Sequence, residues 1–191
     1  MRKLIVSMNL SLDGYLSGLQ GDLDWHFEIW NERMSEKMLQ QLQETDTIIL
    51  GRLTYEVMAK YWTVHPLGDH FPRQDLAIAD KMNEHSKFVF SKTFKHSLWN
   101  PSIFATGDPA EEIRLLKGKK GKDMILFGSA SLVSALILSN MVDEYHLWIH
   151  PVILGRGNPI FHDIRNQIKL KLKDSVTFDS GVVANYYAKE S

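Results

Sequence analysis

Apolar positions along the chain fall into short runs, separated by stretches in which they recur every three or four residues. This alternation predicts strands interleaved with helices, an α/β arrangement. Lys3 to Met8 is a β-branched and apolar run that predicts a first strand. From Asn31 to Gln43, Met34, Met38, Leu39 and Leu42 share one face of a helix, with polar residues elsewhere. Thr47 to Leu50 predicts a second strand, followed at once by Gly51 and a short helix from Leu53. Lys87 to Phe90 and Ile103 to Ala105 add two short strands. Asp108-Pro109-Ala110-Glu111 predicts a helix start, with Asp108 as N-cap, proline in the first position and Glu111 closing a capping box. Met124 to Phe127 predicts a strand, and Ser129 to Leu138 a helix. Glu144 to Leu154 reads as a long strand interrupted at Pro151, which has no N–H for a ladder. Val176 to Phe178 and Val182 to Tyr187 flank Asp179-Ser180-Gly181, a hairpin turn that adds an antiparallel edge. Tyr61 to His85 is the least regular stretch, with Pro66, Gly68, Pro72 and an amphipathic segment from Arg73. No linker, repeat or low-complexity tract breaks the pattern. The expectation is one α/β domain over residues 1–191, its mostly parallel sheet ending in an antiparallel hairpin.

Composition narrows the function classes. At 191 residues the chain can bury about 70% of its unfolded surface and hold a full core. Hydrophobic residues make up 44% and charged residues 24%, which excludes an intrinsically disordered protein. Lys plus Arg is 22 against 23 Asp plus Glu, a net charge of −1 that argues against a nucleic-acid partner. There are no cysteines, so disulfides, thiolate metal sites and a cysteine nucleophile are excluded. The apolar run Leu4 to Val6 is too short for a signal-peptide core. Met124 to Val142 is 19 residues without a charge, but a Gly-Ser break and several polar residues fit a buried strand and helix better than a membrane span. A soluble, cytoplasmic protein without a membrane partner is expected.

Chemistry centres on a repeated geometry of strand, small-residue turn and helix, at Ile48 to Thr54 and again at Ile125 to Ser131. Glycine lets a backbone approach a ligand, and a helix N-terminus offers unpaired N–H groups and a positive dipole end. Each turn alone fits a plain tight turn, and two aimed at one crevice fit the pyrophosphate of a dinucleotide. Neither is a G-x-G-x-x-G nor a G-x-x-x-x-G-K-[ST] motif. Ser91-Lys92-Thr93, just after a strand, offers two hydroxyls and an ammonium group, fit for a 2′-phosphate or for a solvated loop. His146 and His150 fall at i and i+4 on one strand face, while His65 and His70 lie in the irregular stretch. With no His-Glu-x-x-His and no Cys, no metal is expected. Ser11 and Asp13 lack a Gly-x-Ser-x-Gly elbow, which argues against a hydrolase triad. Trp25, Phe27, Trp30, Tyr61 and Trp62 fit either core packing or the lining of a pocket for a flat heterocycle.

The serial order SLDGY (11–15), ILGRLTYE (49–56), VFSKT (89–93), FGSASLVSALI (127–137), VDEYHLWIHPVILGRGNPIF (142–161) and SGVVANYY (180–187) resembles a known family. It is similar to the dihydrofolate-reductase-like proteins related to the C-terminal reductase domain of bifunctional riboflavin-biosynthesis deaminase-reductases. The resemblance implies a three-layer α/β/α sandwich around a mixed, mainly parallel sheet, an NADPH cofactor and a homodimer. It implies that Gly51, Arg52 and Thr54 contact the cofactor phosphates, and that Ser91, Lys92 and Thr93 hold the 2′-phosphate. Gly128, Ser129 and Ala130 match the turn that meets the pyrophosphate and nicotinamide end. The carboxylates of Asp143-Glu144 open a central strand in structural roles. Two positions depart from the pattern. The riboflavin-pathway reductases carry Glu before a Gly-Gly pair, where this chain has Phe127 before Gly128-Ser129. Dihydrofolate reductases carry a buried carboxylate on the first helix shortly after a Trp; here Trp25 leads to Glu28, the nearest candidate catalytic acid, at a different spacing. Trp25 and Phe127 are the expected substrate-pocket residues. The implied function is hydride transfer from NADPH to a small heterocycle of pterin or pyrimidine type. The alternatives are a non-catalytic NADP-binding module, a plain structural domain, and the 5-amino-6-(5-phosphoribosylamino)uracil reductase of riboflavin biosynthesis.

Overall fold

A computed structural model describes residues 1–64, 73–94 and 97–190. The elements run β1 (Leu4–Ser11), β2 (Tyr15–Ser17), α1 (Asp24–Phe27), α2 (Glu32–Gln43), β3 (Thr45–Gly51), α3 (Arg52–Val64), α4 (Arg73–Glu84), β4 (Ser86–Phe90) and β5 (Ser102–Ala105). They continue with α5 (Pro109–Lys117), β6 (Asp123–Leu126), α6 (Ala130–Leu138), β7 (Glu144–His150), β8 (Asn158–Pro159), β9 (Leu170–Thr177) and β10 (Val183–Lys189). Eight strands form one sheet in the order β5-β4-β3-β6-β1-β7-β10-β9, and β2 pairs with β8 apart from it. From β5 to β7 every pairing is parallel; β10 runs antiparallel to both β7 and β9.

Strand alternation sorts the side chains to two faces. Leu4, Val6, Met8 and Leu10 of β1 pack with Ile113 and Leu116 of α5 and Val133, Leu136 and Ile137 of α6. On the other face Ile48, Leu50 and Ile125 pack with Leu42 of α2, Tyr55 and Ala59 of α3, and Ile78 and Met82 of α4. These two layers of helices on one sheet make the three-layer sandwich expected. Each fully buried Leu or Ile contributes roughly 1.5–3 kcal/mol, so the two clusters supply the main driving force. Among the described residues, no helix is long and apolar enough to cross a membrane.

Several elements depart from the sequence expectation. β1 runs on to Ser11 because Asn9 and Ser11 face the α2 layer, where polar partners receive them. The helix after Gly51 is not short: α3 has 13 residues and starts at Arg52. Much of the irregular stretch is also helical, as α3 to Val64 and α4 from Arg73; residues 65–72 lie outside the described residues. β7 ends at His150 and does not resume after Pro151. β9 starts at Leu170, well before Val176; Leu170 is half-buried against the core, but Lys171 to Ser175 are exposed on this edge strand, so the short Leu-Lys alternation there marks no buried face. The Asp108 carboxylate caps α5 by accepting from the N–H groups of Ala110 (2.9 Å) and Glu111 (3.1 Å). Glu111 does not close a capping box; its carboxylate pairs with Arg114 one turn on.

Candidate functional site

Parallel pairing puts the C-terminal ends of β3, β4, β6, β1 and β7 along one edge. The chain passes from β1 to β3, winds outward to β5, then returns to insert β6 between β3 and β1. That reversal falls at the carboxyl ends of β3 and β6, where sheets of this kind usually form a ligand crevice. Gly51 and Gly128 line it. The Gly51 N–H donates to the Gly128 carbonyl at 2.7 Å. A Cβ on Gly51 would stand 2.7 Å from Ser129 Oγ and 3.0 Å from Ser129 N. Gly128 has φ +129°, and a Cβ there would stand 3.0 Å from Thr54 Oγ1. The N-termini of α3 and α6 therefore lie side by side, joined through backbone. Ser129 is the N-cap residue of α6, but its hydroxyl bonds the Ser131 hydroxyl at 3.0 Å and caps no N–H.

The cationic groups are placed differently. Arg52 opens α3, and its Nη1 donates to both Glu56 carboxylate oxygens at 3.0 and 3.1 Å. Ser91 is buried; its Oγ accepts from the N–H groups of Thr93 (3.3 Å) and Phe94 (2.8 Å), closing the turn after β4. Lys92 and Thr93 sit exposed on that turn, next to β3 across the sheet. So Ser91 shapes the loop and Lys92 presents the charge.

Two loops lock together at the same sheet edge. Asp13 accepts from the N–H groups of Leu154 (3.1 Å) and Gly155 (2.8 Å), and the Leu12 N–H donates to the Val152 carbonyl at 2.7 Å. Asn158 Nδ2 donates to Ser17 Oγ at 2.8 Å. The SLDGY and GRGNP segments are thus one clasp, which fixes the chain entering α1. From there Trp25 meets the His150 ring edge-on at 5.2 Å, and Phe27 stacks on Tyr61 of α3 at 5.7 Å. α1 spans from β7 to α3 and roofs the ends of β1 and β6.

Of the expected pocket residues, Trp25 is part of α1 itself and sits beside His150 of β7. Phe127 follows directly after β6 and packs half-buried into the α2–α3–α4 cluster. β1 runs between them. The aromatic group divides: Trp25, Phe27, Tyr61 and Trp62 form the roof and its support, while Trp30 donates its Nε1–H to Ser35 at 2.7 Å and packs on Trp148. Glu28 is exposed just beyond α1 and is not the buried carboxylate that the resemblance implied. The buried titratable groups here are His26, at 8% exposure, and His150, fully buried. Burial pushes His26 down to about 4, against the pull of Asp24. Burial, then the nearby His26, pushes His150 to about 4 as well. His146 shares the face but turns to Glu144 and Tyr186. Among the described residues, no three His, Asp or Glu side chains gather as a metal site requires. The sequence reading missed His26 and Asn9. The signal was present: alternation from His146 puts His150 inward, and Asn9 interrupts an apolar run on the neighbouring strand.

A mixed sheet of this order, with paired glycine turns at its point of reversal, defines a dihydrofolate-reductase-like domain. The chain belongs to the RibD C-terminal domain family, which matches residues 2–184. It is 35% identical over 186 residues to the uncharacterized protein YyaP of Bacillus subtilis (strain 168), covering 97% of this chain and 94% of that one. The crystal structure of a putative riboflavin biosynthesis protein from Shewanella sp. PV-4 superposes with a TM-score of 0.77 at 19% identity, covering 99% of each chain. Dihydrofolate reductase from Enterococcus faecalis, complexed with NADP(H) and RAB-propyl, superposes with a TM-score of 0.62 at 15% identity, covering 99% of this chain and 97% of that one.

Proposed function

We propose that the protein is an NADPH-dependent reductase that transfers hydride to a small, flat, weakly charged heterocycle. The observation that carries this reading is the Gly51–Gly128 contact, which sets two helix N-termini side by side in a cradle that any Cβ would fill. Such paired N–H groups and dipole ends suit a pyrophosphate. Gly51, Thr54, Gly128, Ser129 and Ala130 would hold it, with Arg52 adding charge beside Glu56. Lys92 and Thr93 would meet the 2′-phosphate. NADPH, when bound, supplies the hydride. The protein contributes orientation, and the roof of α1 excludes water from the acceptor side. Water at the open edge supplies the proton, since Glu28 faces solvent.

Membership of the RibD C-terminal domain family favours a second substrate, the phosphorylated pyrimidine of riboflavin biosynthesis. Phe127 speaks against it, because a ring at that position offers no hydrogen bond to a polar pyrimidine. The guanidinium nearest to Trp25–Trp30 along the chain, Arg33, bonds the Thr177 carbonyl at 3.3 Å and lies over the Phe178 ring. The test is a thermal shift with NADPH and NADH, followed by NADPH oxidation with pterins, quinones, aldehydes and 5-amino-6-(5-phosphoribosylamino)uracil. A ligand that binds only the folded state raises its midpoint. No shift with NADPH sinks the reading. A shift without turnover on any acceptor leaves a binding module. Turnover of the phosphorylated pyrimidine at kcat/KM of about 10⁴ M⁻¹s⁻¹ or more establishes the riboflavin reaction instead. We expect a homodimer, with β9 as one of two free sheet edges; a monomer at micromolar concentration in sedimentation refutes it.

A further inference from the structure

Where β1 and β7 end, three rings meet with their nitrogens unsatisfied. Trp25, His26 and His150 stand 5.2 to 5.9 Å apart, centroid to centroid, each pair edge-on. Trp25 Nε1, His26 Nδ1 and His150 Nδ1 are buried, and no atom of the described residues bonds them. Folded proteins leave few such groups, because each forfeits the hydrogen bond it had in water. Three in one cluster, at the edge that carries the crevice, call for a ligand with matching groups.

The geometry sets what those groups must be. Asn9 Oδ1 lies 3.1 Å from His150 Nε2. With the amide oxygen as acceptor, Nε2 carries the proton and Nδ1 is left as an acceptor. The indole of Trp25 can only donate. Burial keeps both imidazoles uncharged near neutral pH, so the cluster offers no positive charge to an anion. A complementary ligand has one N–H and one C=O on a neutral edge. The cluster and the Gly128 turn flank β1, roughly two strand spacings or 10 Å apart, so a ring held here lies beside the crevice.

We propose that His150, oriented by Asn9, and Trp25 together are the specificity element that selects the acceptor by a neutral lactam edge. The His150 Nδ1 accepts from the lactam N–H, and the Trp25 Nε1–H donates to the adjacent carbonyl. His26 closes the cluster and can take either role. Quinones and simple aldehydes, which lack the N–H, are disfavoured. The inference rests on reading this face as the acceptor side of a reductase.

Two probes of nearly one shape test it: lumazine, which has lactam N–H groups, and 1,3-dimethyllumazine, which has none. Their dissociation constants are measured by calorimetry on the full chain with saturating NADP⁺, and again without it. The expected result is binding of lumazine, with the dimethyl compound weaker by about tenfold or more. Trp25→Phe keeps a ring in place but removes the donor to a carbonyl that both probes carry, so it should weaken lumazine about tenfold while the preference over the dimethyl compound, which His150 sets, persists. His150→Phe should abolish the preference. If His150→Phe does not fold, Asn9→Ala, which frees the imidazole to rotate, should reduce the preference instead. Equal affinities in the wild type, no lumazine binding, lumazine affinity unchanged by Trp25→Phe, or a preference that survives His150→Phe overturns the proposal. Lumazine binding without any NADPH binding would overturn the cofactor reading and leave this inference standing. NADPH binding without the lactam preference would do the reverse.

Discussion

The Gly51 amide lies 2.7 Å from the Gly128 carbonyl, so the turns after β3 and β6 are one continuous backbone surface. Neither glycine has room to change. In Gly51→Ala the new methyl would press on Ser129 Oγ and, at 3.0 Å, on the Ser129 backbone nitrogen. Backbone cannot rotate away as a side chain can. The variant should lose about 1–3 kcal/mol of stability, as overpacked sites do. NADPH affinity should fall at least about tenfold, because the α6 N-terminus moves. Calorimetry at a temperature where the variant remains folded reads this; unchanged affinity removes the crevice from the cofactor site.

Lys92 is exposed on the turn after β4, and the N–H groups of that turn bind the Ser91 hydroxyl rather than a ligand. Its ammonium is the charge available to a 2′-phosphate. Lys92→Ala should weaken NADPH by about 1–3 kcal/mol and leave NADH nearly untouched, as expected for one charge-assisted contact. Equal losses for both cofactors would show that Lys92 does not face the 2′-phosphate.

Acid should destabilise the fold before most carboxylates titrate. His26 and His150 are pushed by burial from 6.5 to about 4. Burial lowers His85 in the same direction. Between those values the unfolded chain binds protons that the folded chain refuses, so stability falls as pH drops through that window and is flat above it with respect to these groups. Glu144 is held down to about 2, chiefly by its hydrogen bond with His146, and adds a further loss below about pH 4.5. Urea unfolding at about pH 7 and about pH 4.5 should show the drop, and it should shrink in the His26→Phe, His150→Phe double variant. A double variant with the full acid sensitivity refutes the assignment.

Lys87 is fully buried, its Nζ donating to the carbonyls of Asn83 (2.8 Å), His85 (2.8 Å) and Asn100 (3.2 Å). It also lies 4.4 Å over the Trp99 ring, and burial pushes it to about 8. The ammonium ties the end of α4 to the loop before β5. Lys87→Met keeps the apolar stem but strands three carbonyls, and should cost about 3 kcal/mol of stability. NADPH affinity measured on the folded fraction should not change; a selective loss of binding would place Lys87 in the site.

The sequence by itself determined the α/β class, the central strands and the two glycine turns. Those features are local: apolar runs, helix periodicity and small residues after strands act over a few neighbours. It also showed the Asp108 cap, whose donors lie two and three residues away. Edge strand β9 stayed hidden because Lys171 to Ser175 are exposed and only Leu170 and Val176 are half-buried, too sparse a burial pattern to mark a strand; pairing with β10 makes it one. The acceptor side was decided by tertiary structure. His150 and Asn9 are 141 residues apart and meet only because β1 and β7 pair in parallel, in a register that sets Ser11 opposite His150. Trp25 and His26 reach them from the segment that follows Asp13 and Ser17, both of which bond the loop after β7. Glu28, nearest to the family's carboxylate along the chain, faces solvent, since a four-residue helix turns one side inward and His26 occupies it.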